Sequence, residues 1–387
     1  MNICMLSWEY PPRIVGGISR HCHGLARALA RRGHRIHLVT LEFPGAPEFE
    51  EQDGVKVHRV RIEVGHPSFL SWVLLFNHFM EKKVGSLARD VDFDLIHAHD
   101  WLVALAGIAS KTFLGKPLVM TIHSTEEGRS QGIHTPDSST LRGLEWWGTY
   151  EAKRLIVTTQ AMRHEVLGQF HLPVEKVETI PNAVDVEGFQ VDVDASEVKR
   201  SLGLRGSEPL VLFVGRLTSQ KGVEYLIDAL PAVLQSHPDA RLVIIGDGYM
   251  LEELRSRAEG RGVGSATLFT RFVSDEDLVP LLKSADVQVV PSIYEPFGIA
   301  ALEGMAAGTP VVASSVGGLR EVIQHGKTGV WVNPRDPSSI AWGIKSILSD
   351  RQYASRLVRN AKRQIEHRFN WDAVAAETER CYERAVH

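Results

Sequence analysis

Short, continuous apolar runs alternate with amphipathic stretches along the whole chain, and this rhythm constrains the fold more than any other feature. Ile3–Ser7, Arg35–Thr40, Val55–Val60, Asp94–His99, Leu118–His123 and Leu155–Thr159 read as strands, with Val177–Pro181 as the last of a first series. A second series follows at Leu210–Gly215, Arg241–Gly246, Thr267–Phe272, Val287–Pro291, Pro310–Ala313 and Gly329–Val332. Apolar strands separated by helices belong in parallel sheets covered on both faces. The repetition predicts an α/β chain of two Rossmann-like, doubly wound domains facing each other across a cleft. Between residues 184 and 208 the period breaks into polar, acid-rich sequence before Pro209 restarts a strand, so the boundary is expected there. A chain of 387 residues is long enough for two such cores.

Composition narrows the partners. The net charge is −4 and neither half is basic, which argues against nucleic acid. No run approaches 18 apolar residues, so no membrane span is expected. Asn2–Ser7 has no basic start and is followed by Trp8-Glu9, unlike a secretory leader. Cys4, Cys22 and Cys381 are odd in number and scattered, which fits a reducing cytoplasm.

In doubly wound folds ligands sit beyond the carboxyl ends of strands, and the unusual residues fall there. Gly16-Gly17 opens a helix running to about Arg32; its backbone can approach an anion, or simply make a tight turn. One face of that helix carries Arg20, Arg27 and Arg31, either a solvated face or a surface for anionic lipid. His97 and His99 share a side of their strand, which suits a metal, but no third ligand stands at a recognisable spacing. His99 and Asp100 read better as polar groups lining a cleft. His123 ends the next strand, as an acid–base group or a structural histidine.

The second half offers Arg216 directly after a strand and Lys221-Gly222 at the next helix. A guanidinium and an ammonium at such a junction suit a diphosphate, the alternative being two surface cations. Gly246-Asp247-Gly248 lacks the third glycine of a dinucleotide fingerprint, because Leu251 takes its place. Glu295-Pro296-Phe297-Gly298-Ile299 leads into a helix that contains Glu303. A fully helical path would separate the two carboxylates by roughly 12 Å, against roughly 5–5.5 Å in a retaining glycosidase. They suit two hydroxyl-bearing parts of one long ligand, or else are a solvated glutamate and a first-turn glutamate. Gly317-Gly318 reads as a turn without chemistry. Phe69–Phe79 reads as a helix packed on the sheet, with an exposed lid or lipid contact as the alternative.

Glu295 and Glu303 around Pro-Phe-Gly, preceded by Gly215-Arg216 and Lys221-Gly222, resemble glycosyltransferase family 4. Ser7–Pro12, His97–Trp101, Thr121–Glu126 and Glu145–Trp147 are similar to bacterial glycogen-synthase-like α-glucan glucosyltransferases within it. Two departures stand out: Ala183, where the family usually has Gly, and Ser124, where the subgroup often has Ala. The resemblance implies the GT-B architecture, with residues 1–185 as the acceptor-side domain and 186–369 as the nucleotide-sugar domain. A last helix within 370–387 is then expected to pack back on the first domain.

The implied activity is transfer of a hexose, glucose from UDP- or ADP-glucose, to a glycan acceptor, an α-1,4-glucan. It proceeds with retention of configuration and without a metal ion or other cofactor. Arg216 and Lys221 would bind the diphosphate, Glu303 the ribose, and Glu295 with the backbone of Phe297, Gly298 and Ile299 the sugar. Gly16 and Gly17 would approach the phosphate, His123 the reacting sugar, and Glu9 and Asp100 the acceptor. A membrane-surface enzyme modifying a lipid or lipid-linked glycan is the alternative, and a non-catalytic nucleotide-sugar module ranks below both.

Overall fold

The structure is a computed structural model that describes residues 1–65, 67–271 and 273–387. The chain forms two compact units, Met1–Asn182 together with Trp371–His387, and Ala183–Asn370. The sequence reading put the division after residue 185; the units part after Asn182.

The first unit holds an eight-stranded sheet: β1 (Asn2–Leu6), β2 (Arg35–Leu41), β3 (Phe49–Gln52), β4 (Val55–Val60), β5 (Leu95–His99), β6 (Leu118–Ile122), β7 (Arg154–Val157) and β8 (Val177–Thr179). Their order is β3-β4-β2-β1-β5-β6-β7-β8. Every pairing is parallel except β3 with β4. β3 is absent from the sequence reading because Phe-Glu-Glu-Gln is polar and lies at an exposed edge. Its signal was the Asp53-Gly54 pair, whose φ angles of 53° and 79° make a two-residue hairpin turn.

Helices cover the sheet by burying stripes at helical spacing. Gly17–Arg31 buries His21, Cys22, Leu25, Ala26 and Leu29. Phe69–Leu87 buries Val73, Phe76, Asn77, Met80 and Val84 behind a Ser68–Ser71 capping box. The last helix, Trp371–Val386, belongs to this unit. Gly24 is the contact point, since a Cβ there would stand 2.1 Å from the Trp371 ring. Arg31 pairs with Asp372 at 3.2 Å, and Glu379 takes both Arg32 and His34.

The second unit holds six parallel strands: β9 (Leu210–Val214), β10 (Arg241–Ile245), β11 (Thr267–Arg271), β12 (Val287–Val290), β13 (Val311–Ser314) and β14 (Val330–Val332). Their order is β11-β10-β9-β12-β13-β14. Phe272, expected to end the third of these, lies outside the described residues. Strand order reverses beside β1 in the first unit and beside β9 in the second. These are the switch points at which open α/β sheets bind ligands.

Candidate active site

In the second unit, β9 ends at Val214, and Gly215 leads to the exposed Arg216, whose side chain makes no ion pair or hydrogen bond with any described residue. Lys221 closes the following turn and is tied to Glu295, Nζ to Oε2 at 2.8 Å. The Ser292 hydroxyl donates to the same oxygen at 3.0 Å. One expected diphosphate ligand is therefore free, and the other is paired with an expected sugar ligand.

The loop carrying Glu295 is held by its neighbours. Phe297 is buried and meets Phe369 edge-on at 6.0 Å. Gly318 N–H donates to the Glu295 carbonyl at 2.9 Å, and a Cβ on Gly317 would fall 2.3 Å from that same oxygen. Gly317-Gly318 thus positions the site, a role its reading as a plain turn missed. Gly298 has φ +108° and begins the helix Ile299–Ala307 without a side-chain cap. A helix start of that kind presents N–H groups and positive potential to an anion. Glu303 is buried within the helix. Close backbone packing also explains Gly246, where a Cβ would stand 1.9 Å from the Gly215 carbonyl oxygen.

In the first unit, the expected acceptor-side and sugar-side residues follow the carboxyl ends of β1, β5 and β6. Glu9 is buried, and its Oε2 accepts the N–H groups of Val15 at 2.6 Å and Gly16 at 2.9 Å. The Gly16 N–H, expected to approach phosphate, is thus bonded to Glu9 here. Gly17 keeps the expected place as the first residue of its helix.

Asp100 follows β5 with φ +66°, an unusual backbone for a non-glycine residue. It is buried, and its Oδ1 has no hydrogen-bond partner among the described residues. Burial raises its pKa to about 6, opposed by Arg129 and by the N–H of Trp101.

His123 follows β6 and is partly exposed. Its Nε2 lies 3.3 Å from His99 Nδ1, and its ring centroid 4.7 Å from that of His21. Burial, with the neighbouring imidazoles, lowers His99 and His123 well below the ordinary histidine value, and burial, opposed by the bond to Asn182, lowers His21 to about 4. All three are neutral near pH 7. His97 is a structural histidine, its two nitrogens held by the Tyr382 hydroxyl at 2.7 Å and Thr121 Oγ1 at 2.8 Å.

Two groups went unassigned in the sequence reading. Arg129 bonds Glu126 and Glu145 at 3.0 Å each and Ser124 Oγ at 2.6 Å. Ser124, one of the departures, thus turns its hydroxyl into this ion cluster. Glu145 in turn accepts Glu126 N–H at 2.8 Å. His21 comes from the buried stripe of its helix, where it resembled any other inward residue. The other departure, Ala183, is absent from the non-glycine residues of positive φ, so its backbone accommodates a Cβ. Arg27 and Arg31 are paired with Asp53 and Asp372, which removes much of the charge expected of a lipid-binding face.

Residues 15–187 match the family described as Glycosyltransferase Family 4, and residues 194–364 match Glycosyl transferases group 1. An uncharacterized glycosyltransferase of Methanocaldococcus jannaschii is 45% identical, over 100% of this chain and 99% of its own. A glycogen synthase of Mycobacterium tuberculosis is 35% identical, over 99% and 94%. Among solved structures, a sucrose-phosphate synthase of Thermosynechococcus elongatus superimposes with a TM-score of 0.85 at 25% identity, covering 99% of this chain and 98% of that one. Two parallel-sheet α/β units of this kind define the GT-B class. The chain belongs to glycosyltransferase family 4.

Proposed function

We propose that the protein transfers glucose from UDP- or ADP-glucose to a growing α-1,4-glucan, with retention of configuration and without a metal ion. The observation that carries this reading is the Arg216, Lys221 and Glu295 group at the β9/β12 switch point. As the glycosidic bond breaks, charge gathers on the phosphate oxygens. The free Arg216 fork, the Lys221 ammonium and the Gly298 helix start supply fixed positive potential there, the role a divalent cation fills elsewhere. Glu295, drawn to Lys221, links the phosphate side to the sugar hydroxyls, and Glu303 holds the ribose. The departing phosphate takes the acceptor proton, so no covalent carboxylate intermediate is needed.

Similarity to a glycogen synthase supports a glucan acceptor. Other relatives are named for phosphorylated products or acceptors, such as mannosylfructose-phosphate synthase and D-inositol 3-phosphate glycosyltransferase. The acceptor side favours a neutral polyol instead, because Glu9 and Asp100 are acids and Arg129 is committed to two carboxylates.

The lipid-linked alternative keeps the exposed Phe69 and Leu74 in its favour. No helix among the described residues is long and apolar enough to cross a membrane. The deciding experiment offers UDP-glucose, ADP-glucose and GDP-mannose, each with glycogen, with a sugar phosphate and with lipid extract. A glucan extended by α-1,4 linkages in the presence of EDTA is the expected result. Transfer to the sugar phosphate or lipid alone, or a trapped glycosyl–enzyme adduct, would overturn the reading.

A further inference from the structure

The first unit gathers more histidine at its strand ends than the proposed chemistry uses. His21 comes from the helix Gly17–Arg31, His99 is the last residue of β5, and His123 follows β6. Each offers one ring nitrogen, and the three nitrogens lie within 4.8 Å of one another. We propose that His21, His99 and His123 form a binding site for one divalent transition-metal ion of the zinc class.

The spacing is close to what such an ion requires. Metal–nitrogen bonds of about 2.0–2.1 Å in a tetrahedron put donor nitrogens about 3.4 Å apart. His99 Nδ1 and His123 Nε2 already stand at 3.3 Å, and modest ring rotation closes the wider gaps. His21 is also poorly satisfied by protein alone: its Nε2 is buried with no hydrogen-bond partner among the described residues. A buried polar atom left that way costs about 1–3 kcal/mol.

His21 has the outer partner that a metal-binding histidine needs. Its Nδ1 faces Asn182 Oδ1 at 2.5 Å; an N–H donated there leaves the Nε2 lone pair for an ion. His97 makes the contrast. Its ring centroid is 4.1 Å from that of His99, yet both its nitrogens are occupied, so it packs the site without joining it. Three neutral imidazoles select Zn2+, Co2+, Ni2+ or Cu2+ over Mg2+ or Ca2+, which want oxygen ligands. Three protein ligands leave a fourth position open.

Occupancy would take the His123 lone pair away from the sugar. The ion should therefore inhibit transfer, a consequence that, unlike the site, rests on the function proposed above.

The test titrates the full-length, EDTA-treated and dialysed protein with Co2+. One equivalent should bind with the visible absorption of a four-coordinate nitrogen site, and Zn2+ should displace it. His21→Gln and His99→Gln should each weaken binding more than about tenfold. His58→Gln, at the separate His37–His58 pair, should leave it unchanged. No Co2+ band, or a band that survives His21→Gln, overturns the site. Should either variant unfold by circular dichroism, 15N-imidazole shifts of the wild type on adding Zn2+ decide: they must move at three histidines together, and their failure to move refutes the site. Binding without inhibition supports the site and removes His123 from the mechanism. Activity lost to EDTA and restored by Zn2+ supports the site and overturns metal-independent transfer.

Discussion

At the strand ends of the first unit the polar groups are drawn inward: Glu9, His99 and Asp100 are all buried. At those of the second unit Arg216 stands exposed, its side chain unpaired among the described residues, and the Lys221 side chain bonds that of Glu295, which also accepts from Ser292. The same doubly wound topology therefore supports two chemistries. The first unit holds neutral or protonatable groups suited to hydroxyls. The second holds cationic charge and bare backbone suited to a diphosphate. The difference lies in what fills the loops. Glycines let backbone approach backbone around β9 and β12, whereas in the first unit side chains from distant elements fill the same kind of space.

The comparison breaks first at Arg216. Arg216→Ala is expected to lower kcat by about 10²- to 10³-fold, because its charge acts on the departing phosphate. A change confined to KM, measured by steady-state kinetics, would place it in ground-state binding instead. Gly246→Ala should cost roughly 1–3 kcal/mol in urea unfolding, through overpacking against the Gly215 carbonyl. Hydrogen exchange should confine the loss to the second unit; an unaltered unfolding midpoint would mean that the loop can give way. Glu303→Gln should weaken nucleotide binding by about tenfold in calorimetry, the loss of a hydrogen bond to a charged group. Unchanged affinity would remove Glu303 from the ribose.

The smallest effect sharpens the burial side of the contrast. His58 is buried and stacked on His37, and its pKa is lowered to about 4, first by burial and then by His37. The unfolded chain binds that proton near the ordinary value of about 6.5, so the unfolded state holds more protons between the two values. Stability is thus complete above about pH 6.5 and lost as pH falls toward 4. His58 alone is expected to lower the melting temperature of the first unit by about 5 °C from pH 7 to 4.5, with His21, His99 and His123 adding in the same direction. His58→Phe should make the slope shallower by that share; an unchanged slope would assign the acid loss to the other groups.

Much of the second unit's site was legible along the chain. Arg216, Lys221, Glu295 and Gly298 follow strand ends or open a helix, a placement that local spacing already shows. The first unit's site was legible only in part. Glu9 and Asp100 could be placed at strand ends, but not the bonds from Glu9 to Val15 and Gly16. Arg129 lay unnoticed because its partners, Glu126 and Glu145, belong to two helices, one of four residues. His21 lies 78 residues before His99, so no metal-ligand spacing within one stretch of sequence contains it.

By itself the sequence determined the class of fold, the number of sheets and which charged residues stand just after the second unit's strands, because apolar period and strand–helix junctions are local properties. Tertiary structure alone decided which side chains converge, which are ion-paired and which are left buried without a partner. Those outcomes depend on strand order and helix packing, which join residues far apart in the chain and leave no periodic trace within it.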